Sequence, residues 1–230
     1  MALQIIYDRI LDFPVFHGLG KNEMADIVAR TKFDFHKYAP GRTIVRQNDP
    51  CSRLYFFLQG TISCEKDSDD YGYTLREEIP APLLFQPEDF FGYSQRFSRT
   101  AVALTEVSLM TVDKEEVQKF LQQYHIVRMN VVNQLATHIQ RLASLAWKHQ
   151  SDDLEQRIIN FISLHCLRPV GRKVLKIKMT RLAHELNDSR RNVSGALNAL
   201  QEKSLVILQR GRIEIPAMEQ LLNRFTLKNE

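Results

Sequence analysis

The chain has 230 residues, of which 44% are hydrophobic and 25% charged, and this balance excludes an intrinsically disordered or fibrous protein. No apolar run approaches the ~18 residues of a membrane-spanning helix, and the N-terminus lacks a secretion-signal pattern, so we expect a cytoplasmic protein without an anchor. The net charge of +4 is uneven: residues 1–150 carry 17 Lys and Arg against 18 Asp and Glu, whereas residues 151–230 carry 14 against 9. This excess indicates either a polyanion-binding domain or a solvated basic face.

Short β-branched and aromatic runs alternate with turn residues between positions 33 and 112, a pattern typical of antiparallel β structure. A helix is predicted before them over residues 21–30. Gln59-Gly60 fits a tight hairpin because glycine adopts positive φ without a Cβ clash. The predicted strands are 43–46, 54–58, 61–65, 73–77, 101–103 and 108–112.

From Asp113 the pattern changes to helix, first over residues 114–123 and then over about 126–148, where no Gly or Pro intervenes. Apolar residues recur in the second helix at spacings of three and four, which places them on one stripe. The stripe either packs on its own domain or pairs with the same helix of a second copy, and its narrow seam favours the dimer. The predicted dimer residues are Val132, Leu135, Ile139, Leu142 and Ala146.

A break and a new helix start are predicted at residues 151–155, where Asp152 and Glu155 have the spacing of a capping box. The next helix is expected over about 158–167. We therefore divide the chain into three regions, which are 1–112, 113–150 and 151–230.

Residues 180–206 predict two helices joined by a tight corner. Asn187 stands at the corner, since Asn tolerates the left-handed conformation better than most other residues with a side chain. Asp188 or Ser189 can then cap the second helix. The apolar faces of the two helices are formed by Leu182, Ala183, Leu186, Val193, Leu197 and Leu200.

Polar side chains on the first turns of that second helix are left exposed. Arg donates two parallel hydrogen bonds to guanine, Asn pairs with adenine, and Ser reaches a phosphate or a base edge. A solvated polar face is the alternative, but the capped corner, the apolar stripes and the paired arginines coincide in one segment. The predicted DNA contacts are Ser189, Arg190, Arg191, Asn192 and Ser194.

A hairpin with a basic tip is predicted after this helix, from residues 205–208 and 213–215. It has the form of a wing. Arg210 and Arg212 are expected to contact the DNA backbone and so to add affinity with little sequence preference.

With these residues in view, the chain resembles the CRP/FNR family of bacterial transcription regulators over nearly its full length. The family pattern Leu-Ala-x-x-Leu-Gly-x-Ser-Arg-x-x-Val-Ser is met over residues 182–194, with Asn187 at the glycine position. Residues 40–44, 54–60 and 89–92 are similar to landmarks of the family's β-roll.

The resemblance implies an α+β fold with three parts: an antiparallel β-roll of the cyclic-nucleotide-binding type as effector domain (1–112), a long central dimerisation helix (within 113–150), and a C-terminal winged helix-turn-helix (151–230). It also implies a sequence-specific, effector-modulated regulator that binds a near-palindromic site as a homodimer. The expected partners are double-stranded DNA, a second copy of the chain, RNA polymerase and an unidentified small-molecule effector, with no membrane.

The reading helix departs from the family at two positions. Many members have Glu where this chain has Arg191 and Arg where it has Gly195, and both of those residues contact bases. Glu accepts from cytosine whereas Arg donates to guanine, so the DNA half-site is expected to differ from the familiar one.

The effector site departs as well. Members that bind cyclic AMP follow a glycine with Glu, but here Gly92 is followed by Tyr93, and the segment down to Arg99 is too short for the family's helix. Arg99 and Thr100 either hold an anion or pack against the sheet. Cyclic AMP is not expected as the effector.

The cysteines and histidines limit the cofactors. Cys51, Cys64 and Cys166 lie far apart and form neither a zinc motif nor the N-terminal cluster of iron–sulfur members, so no metal site and no iron–sulfur cluster is expected. Haem is kept as an alternative cofactor, because a single histidine can supply its axial ligand. The histidines considered for that role are His17, His36, His125 and His138.

Two other functions stay open beside an effector-modulated regulator. One is a regulator of the same type that senses haem, a gas or redox state, and the other is a ligand-binding module that acts through protein partners without DNA. An enzyme is not expected, because the sequence has no phosphate-binding glycine loop, no His-Glu-x-x-His pair and no nucleophile elbow.

Overall fold

The computed structural model describes residues 9–147 and 153–226, and the chain divides into two compact units. The first unit contains the residues up to Ser63 together with Ile79–Gln140. The second contains Cys64–Glu78 together with the chain from Arg141 onward. A hairpin from the N-terminal half of the sequence therefore belongs to the C-terminal unit.

The secondary structure is named here in chain order. Within the described residues the strands are β1 (Asp34–Tyr38), β2 (Thr43–Val45), β3 (Arg53–Gln59), β4 (Thr61–Asp67), β5 (Tyr73–Pro80), β6 (Leu83–Phe85), β7 (Thr100–Ala103), β8 (Val107–Asp113), β9 (Lys173–Ile177), β10 (Ile207–Gln209) and β11 (Arg212–Ile215). The α-helices of the same part of the chain are α1 (Lys21–Arg30), α2 (Pro87–Phe91), α3 (Lys114–Gln123), α4 (His125–Ala146), α5 (Leu154–His165), α6 (Met179–Glu185), α7 (Arg190–Glu202) and α8 (Met218–Thr226).

The first unit is built on an antiparallel sheet in the strand order β1-β8-β3-β6, and β2 pairs with β7. The aromatic run of β3 supplies its core. Phe56 is fully buried opposite Met110, and the rings of Phe13 and Phe16 pack on it with centroids 5.2 and 5.7 Å away. Apolar alternation in the strands thus produces the predicted β-roll.

The second unit combines the strand order β10-β11-β9-β5 with the helices α5 to α8. Strand β5 pairs antiparallel with β9, with Tyr73 opposite Ile177 and Glu77 opposite Lys173. Leu75 from β5 is buried in the same core as the helices. The other members of this core include Ile158, Ile162, Leu182, Val193, Leu197, Leu200 and Ile213.

The predicted α+β fold is confirmed, and each predicted strand is present, but β1, β6 and β9 were not predicted from the sequence. Strand β6 has only three residues. Strand β1 mixes charged and aromatic residues without a clear apolar face. Strand β9 carries two lysines, and a lysine normally indicates a surface position, but Lys173 is completely buried in the structure.

Helix α5 begins at Leu154, within the segment 151–155 where a new helix start was predicted and before the expected helical stretch at 158–167, and its N-cap is Asp153. The Asp153 carboxylate accepts a hydrogen bond from the Glu155 N–H at 3.0 Å. The predicted cap, Asp152, lies outside the described residues. The side chain that caps the helix is therefore one position later than the capping-box spacing suggested.

Helix α4 contains 22 residues and matches the long helix predicted from the absence of Gly and Pro. Val127 and Val131 are buried, whereas Val132 and Ile139 are 50% and 64% exposed. One apolar face of α4 thus lies uncovered in the monomer. In the described ranges, 9–147 and 153–226, no helix is long and apolar enough to cross a membrane.

Candidate nucleic-acid interface

The corner between α6 and α7 has the geometry of a helix-turn-helix. Asn187 has a φ of +48°, in the left-handed region, as its position predicted. The Asp188 N–H donates to the Ala183 carbonyl at 3.0 Å and the Asn187 N–H to the His184 carbonyl at 3.1 Å, so the corner is closed by backbone bonds. The direction of α7 therefore follows directly from that of α6.

Ser189 is the N-cap of α7, which confirms one of the two predicted alternatives. Its hydroxyl oxygen accepts from the Asn192 N–H at 3.1 Å. Asp188 adds a second contact, since its Oδ1 accepts from the Ser189 N–H at 2.7 Å and from the Asn192 side-chain amide at 2.9 Å. These hydrogen bonds hold the pKa of Asp188 below its ordinary value, the Asn192 amide being the largest cause.

Helix α7 has one buried and one exposed face. Val193, Leu197 and Leu200 are completely buried. Arg190 and Arg191 lie exposed on the first turn, where the prediction places the base contacts. The structure thus presents the two arginines to solvent on a helix whose other side is fixed by the core.

The exposed face of α7 continues beyond the predicted contacts. Gly195 is exposed, and a Cβ added to it would meet no atom within 4 Å. Asn198 is exposed on the same face, one turn after Ser194. It was not among the predicted DNA contacts because it lies outside the family motif. Its spacing of four from Ser194 was the signal that could have found it.

Asn192 and Ser189 are partly engaged within the cap. The Asn192 side-chain amide donates to Asp188, and the Ser189 hydroxyl accepts from the backbone of the helix. The other three predicted contacts, Arg190, Arg191 and Ser194, take no part in these two cap hydrogen bonds.

The wing is formed by β10 and β11, with Gly211 at a φ of +70° in its turn. Arg210 is exposed at the tip. Arg212 points to an internal partner, since its Nη2 lies 2.9 Å from Glu214, which also pairs with Arg172 at 2.8 Å. The two predicted wing residues therefore differ: one is presented at the tip and the other is neutralised by a carboxylate.

The predicted effector residues lie in a packed segment of the first unit. Arg99 is 7% exposed, and the Thr100 hydroxyl accepts from the Gln47 N–H at 3.0 Å. Nearby, the Asp89 carboxylate accepts from the Ser98 N–H at 2.7 Å. Of the two predicted effector residues, Arg99 is thus buried, and the hydroxyl of Thr100 already has a hydrogen-bond partner in the protein.

Gly92 precedes this segment and has a steric role. A Cβ at this position would lie 2.5 Å from the Glu88 carbonyl oxygen, so only glycine fits the close approach at the end of α2. The landmark at residues 89–92 is therefore explained by the turn itself.

The histidines and cysteines are distributed through the fold. His36 lies 3.3 Å from the Thr111 hydroxyl, His125 lies 2.9 Å from Arg128, and His17 is exposed. The three cysteines are buried. No group of three or more His, Cys, Asp or Glu side chains suited to a metal ion occurs in the part of the chain that the structure describes.

Two family models match the sequence in the order of the two structural parts. Residues 35–124 match the cyclic nucleotide-binding domain, and residues 140–224 match the Crp-like helix-turn-helix domain. The chain belongs to the CRP/FNR family. It is therefore a DNA-binding transcription regulator and not an enzyme.

Two curated relatives and one solved structure are similar to this chain over most of its length. The global nitrogen regulator of Synechocystis is 26% identical over 92% of this chain and 94% of its own length. The global nitrogen regulator of Nostoc is 26% identical over 80% of this chain and 86% of its own length. The Thermus thermophilus catabolite activator protein is similar in structure, with a TM-score of 0.48 and 22% identity over 94% of this chain and 99% of that chain.

Proposed function

We propose that this CRP/FNR regulator reads a near-palindromic DNA site as a homodimer, with α7 of each subunit in the major groove. The observation that carries the proposal is the exposed Arg190-Arg191 pair on the capped first turn of α7. A guanidinium donates two parallel hydrogen bonds to guanine O6 and N7, so each arginine can specify one base pair. Ser194 adds a shorter hydroxyl on the same face.

The wing supplies the contact to the DNA backbone. Arg210 stands exposed at the hairpin tip, where its charge is available to a phosphate. Such a contact adds affinity by releasing counterions and does not depend on base sequence. Arg212 contributes less, because Glu214 is its ion-pair partner.

The dimer is proposed to form through the uncovered stripe of α4. Val132 and Ile139 are seven residues apart and mostly exposed, and Ala146 is exposed on the last turn. Leu135 and Leu142 are half-buried between them. Apolar residues at this spacing suit knobs-into-holes packing against the same helix of a second copy. Two symmetric reading helices then require half-sites about one turn of DNA apart.

The division into an effector domain at 1–112, a helical region at 113–150 and a DNA-binding domain at 151–230 is part of the proposal. The β-roll would bind the effector that modulates DNA binding, and Arg99 and Thr100 are its proposed contacts. The name of the curated relatives adds nitrogen regulation as a role to test for this chain.

Selection of bound sequences from random double-stranded DNA tests the reading helix. The wild-type chain is expected to enrich a near-palindrome, and Arg190→Ala and Arg191→Ala are each expected to weaken that site by ~1–3 kcal/mol. Arg42→Ala, an equal loss of charge on an exposed residue of the first unit, is the control and should leave affinity unchanged. Unchanged affinity of both α7 variants, or no enriched sequence, would defeat the proposal and favour a module that acts through proteins.

Sedimentation tests the dimer. An Ile139→Glu, Leu142→Glu variant is expected to sediment as a monomer, because four charges would face each other in the proposed seam. A Gln140→Glu variant on an exposed neighbouring position is the control. An unchanged dimer in the double variant would place the interface elsewhere.

The effector is tested by two direct measurements on the purified chain. A calorimetric titration with cyclic AMP is expected to give no heat of binding in the micromolar range, because Tyr93 follows Gly92 where cyclic-AMP-binding members have a carboxylate. An absorption spectrum detects or excludes haem. A strong absorption band characteristic of bound haem would favour the haem-sensing alternative.

A further inference from the structure

Arg157 on α5 spans the corner of the helix-turn-helix. Its Nη1 donates to the Asp188 carboxylate at 3.0 Å, and its Nη2 donates to the Leu186 carbonyl. The side chains of Arg157 and Asp188 are 20% and 19% exposed, so water competes with this contact only in part. A planar guanidinium that donates in two directions fixes its partners in orientation as well as in distance.

The Asp188 carboxylate divides its two oxygens between two helices. Oδ2 accepts from Arg157 on α5, whereas Oδ1 accepts from the Ser189 N–H at 2.7 Å and from the Asn192 amide at 2.9 Å. Negative charge at this place is also favoured by the N-terminal end of α7. A continuous chain of charged hydrogen bonds therefore runs from α5 to the first turn of the reading helix.

The contact acts where the proposed base-reading residues stand. Arg190 and Arg191 follow Ser189 directly, and their side chains are exposed. The buried face of α7 at Val193 fixes the helix against the core. The hydrogen bonds from Asp188 act on the polar side of the same turn, where they hold both the Ser189 N–H and the Asn192 side chain.

We propose that Arg157 is a positioning residue for DNA recognition, which acts through Asp188 to orient the first turn of α7 and its two arginines. The inference rests on the proposed reading of DNA by this helix. Arg157 itself is not required to touch DNA, since its guanidinium is turned to Asp188 and Leu186. Its loss should therefore lower the preference for the specific site more than the affinity for DNA in general.

The test compares two affinities at one salt concentration: for the sequence enriched by the wild-type chain and for random DNA of equal length. Arg157→Met is expected to lower the ratio of specific to non-specific affinity about tenfold, on the scale of one charged hydrogen bond. Arg157→Lys should restore part of the ratio, because it keeps the charge but donates from a single point. In an Asp188→Asn background, Arg157→Met should change the ratio less than threefold.

The control is the second ion pair between the same helices. Glu155 on α5 pairs with Lys203 at the other end of α7, with an Nζ–Oε1 distance of 2.8 Å. Glu155→Gln is expected to lower the midpoint of thermal unfolding as Arg157→Met does, while leaving the affinity ratio unchanged.

The outcomes distinguish a failure of DNA reading by α7 from a failure of the positioning role of Arg157. If the wild-type chain enriches no sequence, base reading by α7 fails and this inference fails with it. If the wild-type chain is selective and Arg157→Met is equally selective, only the positioning role is overturned. A loss of ratio in Glu155→Gln equal to that in Arg157→Met would also overturn it, because the effect would then be one of stability.

Discussion

Glu77 and Lys173 form an ion pair of 3.0 Å in which both side chains are completely buried. The Glu77 carboxylate also accepts from the Leu167 N–H at 2.6 Å and the Arg168 N–H at 3.2 Å, and the Lys173 ammonium donates to the Val170 carbonyl at 2.6 Å. The pair thereby joins β5 to β9 and to the turn after α5. Burial makes this contact costly to break, since removal of either partner leaves the other charge buried without its ion-pair partner.

Replacing Lys173 alone is expected to destabilise the second unit strongly. Lys173→Met removes the ammonium group that pairs with the buried Glu77 carboxylate, which should lower the free energy of unfolding by about 3–5 kcal/mol. Adding Glu77→Gln should recover much of the loss, because the Gln side-chain carbonyl can still accept from the Leu167 N–H. Urea unfolding followed by circular dichroism measures both.

The exposed pair of Lys119 with Glu116 provides the comparison for Lys173, since the side chain of Lys119 is 67% exposed. Lys119→Met should leave the free energy of unfolding nearly unchanged, because solvent screens an exposed pair. Equal losses for the two lysine variants would contradict the role given to burial.

The left-handed corner residue sets a second prediction. Asn187→Ala should lower the free energy of unfolding by about 1–2 kcal/mol, because a Cβ-bearing residue other than Asn is strained at a φ of +48°. Asn187→Gly, which restores the family's glycine, should be close to neutral. Asn198→Ala, on an exposed helical position, is the control and should not destabilise. A strongly destabilised glycine variant would show that the Asn side chain, and not the backbone, holds the corner.

The wing predicts a difference in salt dependence. Arg210→Ala should reduce the slope of log affinity against log salt by about 1, the loss of one phosphate contact. Arg212→Ala should reduce it less, since Glu214 neutralises that arginine in the free protein. Affinities for the enriched site over a range of potassium chloride concentrations measure both slopes. The reverse order would mean that Arg212 leaves Glu214 when DNA binds.

The buried hydroxyl of Tyr124 should make the folded state less stable as the solution becomes alkaline. Its hydroxyl donates to Asp26, and burial, followed by this bond, raises the pKa of Tyr124 to about 12. The unfolded chain therefore releases its tyrosine proton from about pH 10, while the folded chain keeps it. The contribution is fully present below about pH 10 and is lost as the pH rises towards 12.

Unfolding measured at several pH values between 9 and 12 checks the role of Tyr124. Tyr124→Phe should flatten the fall in stability over this window, although it starts from a lower value because the bond to Asp26 is lost. Burial also raises the pKa of the Cys51 thiol to about 12, so Cys51 adds a fall of the same sign in both proteins. An identical pH dependence of the variant and the wild-type chain would refute the assignment to Tyr124.

Features that depend on local interactions were predictable from the amino-acid sequence alone. Helical spacing located α7 and its buried face, and the corner at Asn187 and the cap at Ser189 followed from the conformational preferences of single residues. Most strands of the β-roll, though not β1 or β6, were predictable for the same reason, because alternating apolar side chains indicate which face of a strand is buried. Such patterns extend over a few residues and need no knowledge of the rest of the fold.

The pairing of polar residues across the fold, in contrast, depends on tertiary contacts. Lys173 looks exposed in the sequence and becomes buried because Glu77, almost a hundred positions away, lies opposite it in the sheet. Asp188 similarly acquires Arg157 of α5 as its partner, and Glu214 of β11 acquires Arg172 from 42 positions away. A charge tolerates burial only beside its partner, and sequence spacing does not specify a partner brought near by folding. Helix α7 was thus predictable from its own residues, whereas its contacts with α5 were not.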